Sequence, residues 1–135
     1  MIRILAVDDM LQWRNYHKNA LNFVLQDIEY ELELADCAKE AFEKITQNIQ
    51  KPYDLIITDL QMEEDFDMEY AGEWLIRNTQ NLKQYLTVPK IIVSAAPNIK
   101  HIASQLNIDF IPKPTLIHNP LTYELKIKEA LNLLN

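Results

Sequence analysis

The chain has 135 residues, 48% hydrophobic and 24% charged, the proportions of one ordinary globular domain. Its formal net charge of −7 argues against a surface that neutralises nucleic-acid phosphates, and no apolar run approaches the roughly 20 residues of a membrane-spanning helix. Gly72 is the only glycine, which excludes the Gly-rich phosphate loops of dinucleotide-binding and P-loop proteins. A single cysteine, Cys37, makes no internal disulfide, so we expect a protein of the reducing cytoplasm.

Short apolar runs alternate along the chain with longer segments of helical periodicity. In chain order the pattern predicts a strand (2–7), a helix (11–25), a strand (29–34), a helix (37–49) capped by Asp36, a strand (54–58), an acidic loop (63–69), a helix (72–86), a strand (90–94), a helix (99–106), a strand (108–111) and a last helix beginning at Pro120. Five strands alternating with five helices indicate a parallel α/β sheet covered on both faces, in a single domain over residues 1–135.

Reactive side chains follow four of the predicted strands. Asp8 and Asp9 follow the first strand, Asp59 the third, Ser94 ends the fourth, and Lys113 comes after the fifth. Each residue alone is adequately explained as a helix cap or a solvated charge. Together they meet at the carboxyl edge of a parallel sheet, where three carboxylates repel one another unless a cation compensates. A hard divalent ion such as Mg²⁺ fits these oxygen ligands.

The order of these residues resembles that of the receiver domain of two-component response regulators. The resemblance lies in the acid pair after the first strand, the Asp that ends residues 55–59, the Ser after residues 91–93 and the Lys within residues 110–114. The resemblance extends over nearly the whole chain. It implies a flavodoxin-like, doubly wound sheet with strand order 2-1-3-4-5 and five helices on its two faces.

The resemblance also implies roles for the residues at the sheet edge. Asp59 resembles the phosphate acceptor of the family, which takes phosphate from a phosphohistidine. Asp9 resembles the direct Mg²⁺ ligand, Asp8 the ligand that acts mostly through water, and Gln61 the residue that offers its backbone carbonyl to the metal. Lys113 resembles the lysine that pairs first with the free carboxylate and then with a phosphoryl oxygen.

Two further residues resemble the moving parts of the family's switch. Ser94 corresponds to the hydroxyl that turns to the phosphoryl group, and Phe110 to the rotameric aromatic, although an aromatic on an apolar strand also suits a packing role. The Lys113–Pro114 bond corresponds to one that is commonly cis in the family.

The partners implied are a histidine kinase or histidine phosphotransfer protein as phosphate donor, and a downstream protein bound by the fourth helix, fifth strand and fifth helix (99–106, 108–111 and 121–134). No direct nucleic-acid or membrane binding is expected, and homodimerisation is left open. The chain is expected to be no enzyme beyond its own phosphorylation and dephosphorylation.

Some features depart from the family pattern and keep alternatives open. Glu63 stands where the family usually has proline, and the acidic loop 63–69 is either a solvated segment or one that reaches the metal. One alternative function is a pseudo-receiver scaffold with impaired phosphorylation. The other is a haloacid-dehalogenase-like phosphatase, although such enzymes carry Asp-x-Asp rather than the adjacent Asp8 and Asp9.

The remaining aromatic and imidazole side chains are expected to have no part in the chemistry. Trp13 and Trp74 are interpreted as helix packing residues. His17, His101 and His118 lack partners at metal-ligand spacing and are expected at the surface.

Overall fold

The structure is a computed structural model that describes residues 1–62 and 70–134. The acidic loop 63–69 therefore lies outside the described residues. None of the helices in these two ranges has the length and hydrophobicity that a membrane span requires.

All the strands in the described ranges join one parallel sheet. They are β1 (Ile2–Val7), β2 (Tyr30–Ala35), β3 (Leu55–Thr58), β4 (Lys90–Ser94) and β5 (Asp109–Pro112). Their spatial order is β2-β1-β3-β4-β5, with parallel pairing throughout. The fold class predicted from the sequence is confirmed.

Helices connect the strands and cover both faces of the sheet. They are α1 (Leu11–Val24), α2 (Ala38–Gln47), α3 (Ala71–Gln80), α4 (Ile99–Leu106), α5 (Lys113–His118) and α6 (Leu121–Ala130). Because the chain leaves β1 first toward β2 and later toward β3 on its other side, a crevice opens where the carboxyl ends of β1 and β3 lie side by side.

The alternating side chains of β1 show how the core is divided. Ile4 and Ala6 pack on one face of the sheet, in a cluster with buried residues of α1, α5 and α6. Leu5 and Val7 pack on the other face, with buried residues of α2 and α3. Burial of both faces explains why β3 and most of β1 and β4 are apolar, without the alternation of an edge strand.

Several helix boundaries differ from the prediction. Cys37 rather than Asp36 caps α2, its Sγ accepting the Glu40 N–H at 3.4 Å. The helix predicted to reach residue 86 ends at Gln80, and a 3₁₀ helix (Lys83–Tyr85) follows it. This break directs the fully buried Tyr85 to donate its hydroxyl to the Asn48 carbonyl at 2.8 Å.

One helix was not predicted. Residues 113–118 form α5, which brings the described α-helices to six, one more than the five expected. Pro114 lies in the first turn of α5, where a missing N–H leaves no hydrogen bond unmade. The Lys113–Pro114 peptide is trans, contrary to the cis bond that the resemblance implied.

Candidate functional site

The strand register brings the predicted residues to one edge of the sheet. Val7 and Thr58 are paired across β1 and β3, so Asp8 and Asp59, the residues that follow them, emerge side by side. Ser94 pairs with Pro112 across β4 and β5, and Lys113 follows directly. Asp8, Asp59, Ser94 and Lys113 are all buried.

Lys113 binds two of the carboxylates. Its Nζ lies 2.7 Å from Asp59 Oδ2 and 2.9 Å from Asp8 Oδ2. Only 6% of Lys113 is exposed to solvent, so water screens these ion pairs weakly. The ammonium therefore sets the position of both acids.

The backbone fixes Asp59 from the other side. Its Oδ1 accepts the Leu60 N–H at 2.6 Å and the Gln61 N–H at 3.4 Å, while its own N–H donates to the Val7 carbonyl at 3.0 Å. The carboxylate is thus held between backbone donors on one oxygen and an ammonium on the other.

Asp8 is fully buried, and burial raises its pKa, as does the neighbouring Asp59 charge; the Met10 N–H and Lys113 act in the opposite direction. Oδ1 accepts the Met10 N–H at 2.9 Å. Oδ2 is attracted to Lys113 without an aligned hydrogen bond, and no other donor among the described residues reaches it. This buried oxygen keeps a lone pair for a further ligand.

Asp9 completes a carboxylate cluster, a name used here for Asp8, Asp9 and Asp59. One oxygen from each of the three lies within 4.8 Å of the others. Three such oxygens, together with the Asp8 Oδ2 lone pair that accepts no hydrogen bond from the described residues, suit a hard divalent cation that prefers oxygen ligands. The Gln61 backbone adjoins the cluster through its N–H contact with Asp59. The residues present fit Mg²⁺.

Ser94 and Phe110 lie beside the carboxylate cluster rather than within it. Ser94 is 1% exposed, and its Oγ accepts the Ala96 N–H at 3.1 Å. Phe110 is partly buried and packs on an apolar cluster that includes Ile92 and Ala96. Both side chains therefore adjoin the segment that follows β4.

Gly72 adjoins the site, although it was not among the predicted site residues. A Cβ at this position would lie 1.9 Å from the Asp59 carbonyl oxygen and 2.8 Å from the Leu60 Cα. The Gly72 N–H donates to the Leu60 carbonyl at 3.0 Å. The absence of a side chain at position 72 thus lets α3 pack on the backbone of Asp59. The sequence feature that could have indicated this role is that Gly72 is the only glycine of the chain.

Two other expectations need correction or extension. His17 is not a surface residue: it is 1% exposed, and its Nδ1 lies 2.8 Å from the Tyr123 hydroxyl on α6. Burial, with the Lys113 charge, lowers its pKa to about 3. Trp13 packs between helices as predicted, but its ring also faces Lys113, with Nζ 4.8 Å from the ring centroid.

No family model matches the sequence, and no curated protein matches it either. Solved structures do match. The chemotaxis protein CheY4 of Vibrio cholerae is 25% identical, with a TM-score of 0.71 over 97% of this chain and 99% of that one. A CheY-like response regulator receiver domain from Methanospirillum hungatei is 26% identical, with a TM-score of 0.71 over 98% and 94%. A response regulator from Desulfuromonas acetoxidans is 27% identical, with a TM-score of 0.69 over 100% of both chains.

The fold and these neighbours define a class: signalling domains built on a five-stranded parallel sheet with an acidic crevice at its carboxyl edge. Within that class the chain is similar over nearly its whole length to CheY-like response regulator receiver domains, which supports the resemblance found in the sequence.

Proposed function

We propose that the chain is a phosphorylation-dependent switch that accepts phosphate on Asp59 from a phosphohistidine of a histidine kinase or histidine phosphotransfer protein. The observation that carries the proposal is the state of the Asp59 carboxylate. One oxygen is held by Lys113 at 2.7 Å and the other by the Leu60 N–H at 2.6 Å, next to two more carboxylates.

In the transfer, an Asp59 carboxylate oxygen forms a bond to phosphorus while the bond from phosphorus to the donor imidazole nitrogen breaks. The imidazole keeps the electron pair, and the product is an acyl phosphate on Asp59. Such a reaction requires in-line positioning and charge neutralisation more than covalent assistance. The backbone N–H of Leu60 and the ammonium of Lys113 orient the nucleophile.

Mg²⁺, when bound, neutralises charge on the phosphoryl oxygens and on the carboxylates. Asp9 and Asp59 would hold it directly, Asp8 mostly through water, and Gln61 through its backbone carbonyl. The reaction is therefore expected to depend on this metal.

Lys113 is suited to follow the charge as it moves. The ammonium has two acidic partners, at 2.7 Å in Asp59 and 2.9 Å in Asp8. When Asp59 becomes phosphorylated, the contact with Asp8 persists, and the freed N–H turns to a phosphoryl oxygen. The lysine then stabilises the product as it stabilised the free carboxylate.

The readout proposed is a change on the face formed by α4, β5 and α6. Ser94 leaves the Ala96 N–H and turns its hydroxyl to the phosphoryl group, and Phe110 moves into the space vacated. A downstream protein binds this face in one state of the switch. The protein acts in the cytoplasm, and it hydrolyses its own acyl phosphate rather than turning over an external substrate.

Intact-mass spectrometry after incubation with acetyl phosphate tests the proposal. The wild type should gain the mass of one phosphate with Mg²⁺ and none with a chelator, and hydroxylamine should remove the gain. Asp59→Asn should abolish the gain, whereas Asp27→Asn, an exposed carboxylate at the opposite edge of the sheet, should retain it. Equal uptake by Asp59→Asn and the wild type would refute the assignment.

A further inference from the structure

Lys113 has a third neighbour besides its two carboxylates. An ammonium carries three N–H donors, and Asp59 and Asp8 lie on two sides at 2.7 and 2.9 Å. The Trp13 ring covers another side, with its centroid 4.8 Å from Nζ, well within cation–π distance. With 6% of Lys113 exposed, the ring occupies space that water would otherwise take.

The Trp13 ring is itself fixed by an aromatic stack. Its centroid lies 4.9 Å from that of Tyr16, whose ring meets Tyr123 edge-on at 5.4 Å. Tyr123 is 1% exposed and is anchored by the contact of its hydroxyl with His17 Nδ1 at 2.8 Å. Helices α1 and α6 therefore hold the ring in place, and Lys113 meets a rigid surface rather than a mobile side chain.

We propose that Trp13 is a positioning residue for Lys113, holding the ammonium between Asp8 and Asp59 without water and supporting it as it turns to a phosphoryl oxygen. This inference rests on the proposed function of Asp59. An aromatic face suits the role because its attraction for a cation has little directional preference within the ring plane, whereas a hydrogen-bonding partner would oppose the turn.

The ring contact is measurable without phosphorylation. Trp74 lies away from the site and packs on Phe42 at 5.5 Å, so Trp74→Phe leaves Trp13 as the one tryptophan emitter. In that protein, Lys113→Gln should change the emission of Trp13, because it removes a charge from the indole face. The same substitution in a Trp13→Phe protein should leave the emission of Trp74 unchanged. Unchanged Trp13 emission would overturn the contact.

The positioning role is tested by the rate of phosphorylation with acetyl phosphate and Mg²⁺. Trp13→Leu keeps an apolar side chain without a ring and should slow phosphorylation by about fivefold to thirtyfold, the range that a partly to fully desolvated cation–π contact gives. Trp13→Phe keeps a ring face and should stay within about threefold of the wild type.

Two results would overturn the positioning role: a Trp13→Leu rate equal to that of the wild type, or equal losses in Trp13→Leu and Trp13→Phe. The second would show that shape rather than the ring face matters. A wild type that takes up no phosphate at all contradicts the proposed function instead, and the emission of Trp13 then decides the ring contact separately.

Discussion

Gly72→Ala replaces the smallest residue of α3 at the point where this helix rests on the backbone of Asp59. In most helices the change from glycine to alanine stabilises the fold by roughly 0.5–1 kcal/mol, because glycine loses more backbone entropy on folding. Here the new Cβ would lie 1.9 Å from the Asp59 carbonyl oxygen. The sign of the effect therefore distinguishes packing from propensity.

The magnitude follows from the distances. Ordinary van der Waals contact begins at 3.4 Å, so α3 or the end of β3 must move by about 1.5 Å to accept the methyl group. The obstructing atoms belong to the backbone of Asp59 and Leu60, so they cannot rotate away as a side chain could. The Leu60 carbonyl also accepts the Gly72 N–H, which ties this backbone to α3. Overpacking of this kind costs about 1–3 kcal/mol or more. A shift of about 1 Å in the acceptor also slows its chemistry on the order of a hundredfold.

Urea unfolding at pH 7 and phosphorylation by acetyl phosphate measure the two effects. Gly72→Ala should lower the free energy of unfolding by at least about 1 kcal/mol and slow phosphorylation strongly. Arg77→Ala, on the exposed surface of the same helix, should change the free energy by no more than about 0.5 kcal/mol and leave the rate unchanged. A Gly72→Ala protein as stable as the wild type would refute the close approach.

Further predictions concern pH and metal. Burial lowers the pKa of His17 to about 3 in the folded protein, whereas the unfolded chain protonates this histidine below about pH 6.5. Acidification from pH 7 to pH 5 therefore favours the unfolded state. In urea unfolding, the wild type should lose about 2 kcal/mol more stability than His17→Gln over this range. Exposed His101→Gln is the control, and equal pH slopes for His17→Gln and the wild type would contradict the burial. Burial raises the pKa of Asp8 in the folded protein, so the stability of the wild type falls as the pH rises toward that pKa. With a chelator present to remove metal, the free energy of unfolding of Asp8→Asn relative to that of the wild type should therefore increase from pH 4 to pH 8. A decrease would contradict the raised pKa of Asp8. Mg²⁺ at ten times its dissociation constant should raise the unfolding free energy of the wild type by about 1.4 kcal/mol. In thermal unfolding, Asp9→Asn should lose this stabilisation. An Asp9→Asn protein that Mg²⁺ stabilises as much as the wild type would exclude Asp9 as a ligand.

Local patterns were sufficient for the sheet. The bounds of β1, β4 and α4 agree with the prediction, since β1 and β4 are short, mainly apolar runs and α4 has helical periodicity between Asn98 and Asn107. The carboxylates and Lys113 could be placed together because parallel strands bring their carboxyl ends to one edge. The sequence thus contained the chemistry of the site and its approximate position.

Features that depend on distant parts of the chain were not predictable in this way. His17 is buried because Tyr123, 106 residues later, accepts or donates the hydrogen bond that its ring requires. The contact of Trp13 with Lys113 depends on the rotation of α1 about its own axis against the sheet. Helical periodicity predicts which face of α1 is buried, but not the rotation that brings one side chain to Lys113. The need for glycine at position 72 arises from tertiary packing rather than from its own backbone angles.

Helix α5 was missed for a local reason. No element was predicted between the fifth strand and the last helix, and the Lys113–Pro114 pair is a weak helix signal because residues before proline usually leave the helical region. In the structure this pair opens the helix, where proline is tolerated in the first turn. A proline near a strand end is therefore compatible with a helix start as well as with a turn.

The identity of the phosphorylated residue is the most direct test of the whole account. After incubation with acetyl phosphate and Mg²⁺, borohydride reduction converts an aspartyl phosphate to homoserine, which peptide mass spectrometry locates. We expect homoserine at position 59 alone, and none when Mg²⁺ is withheld. Homoserine at another aspartate, with position 59 unmodified, would contradict the assignment of Asp59 as the acceptor.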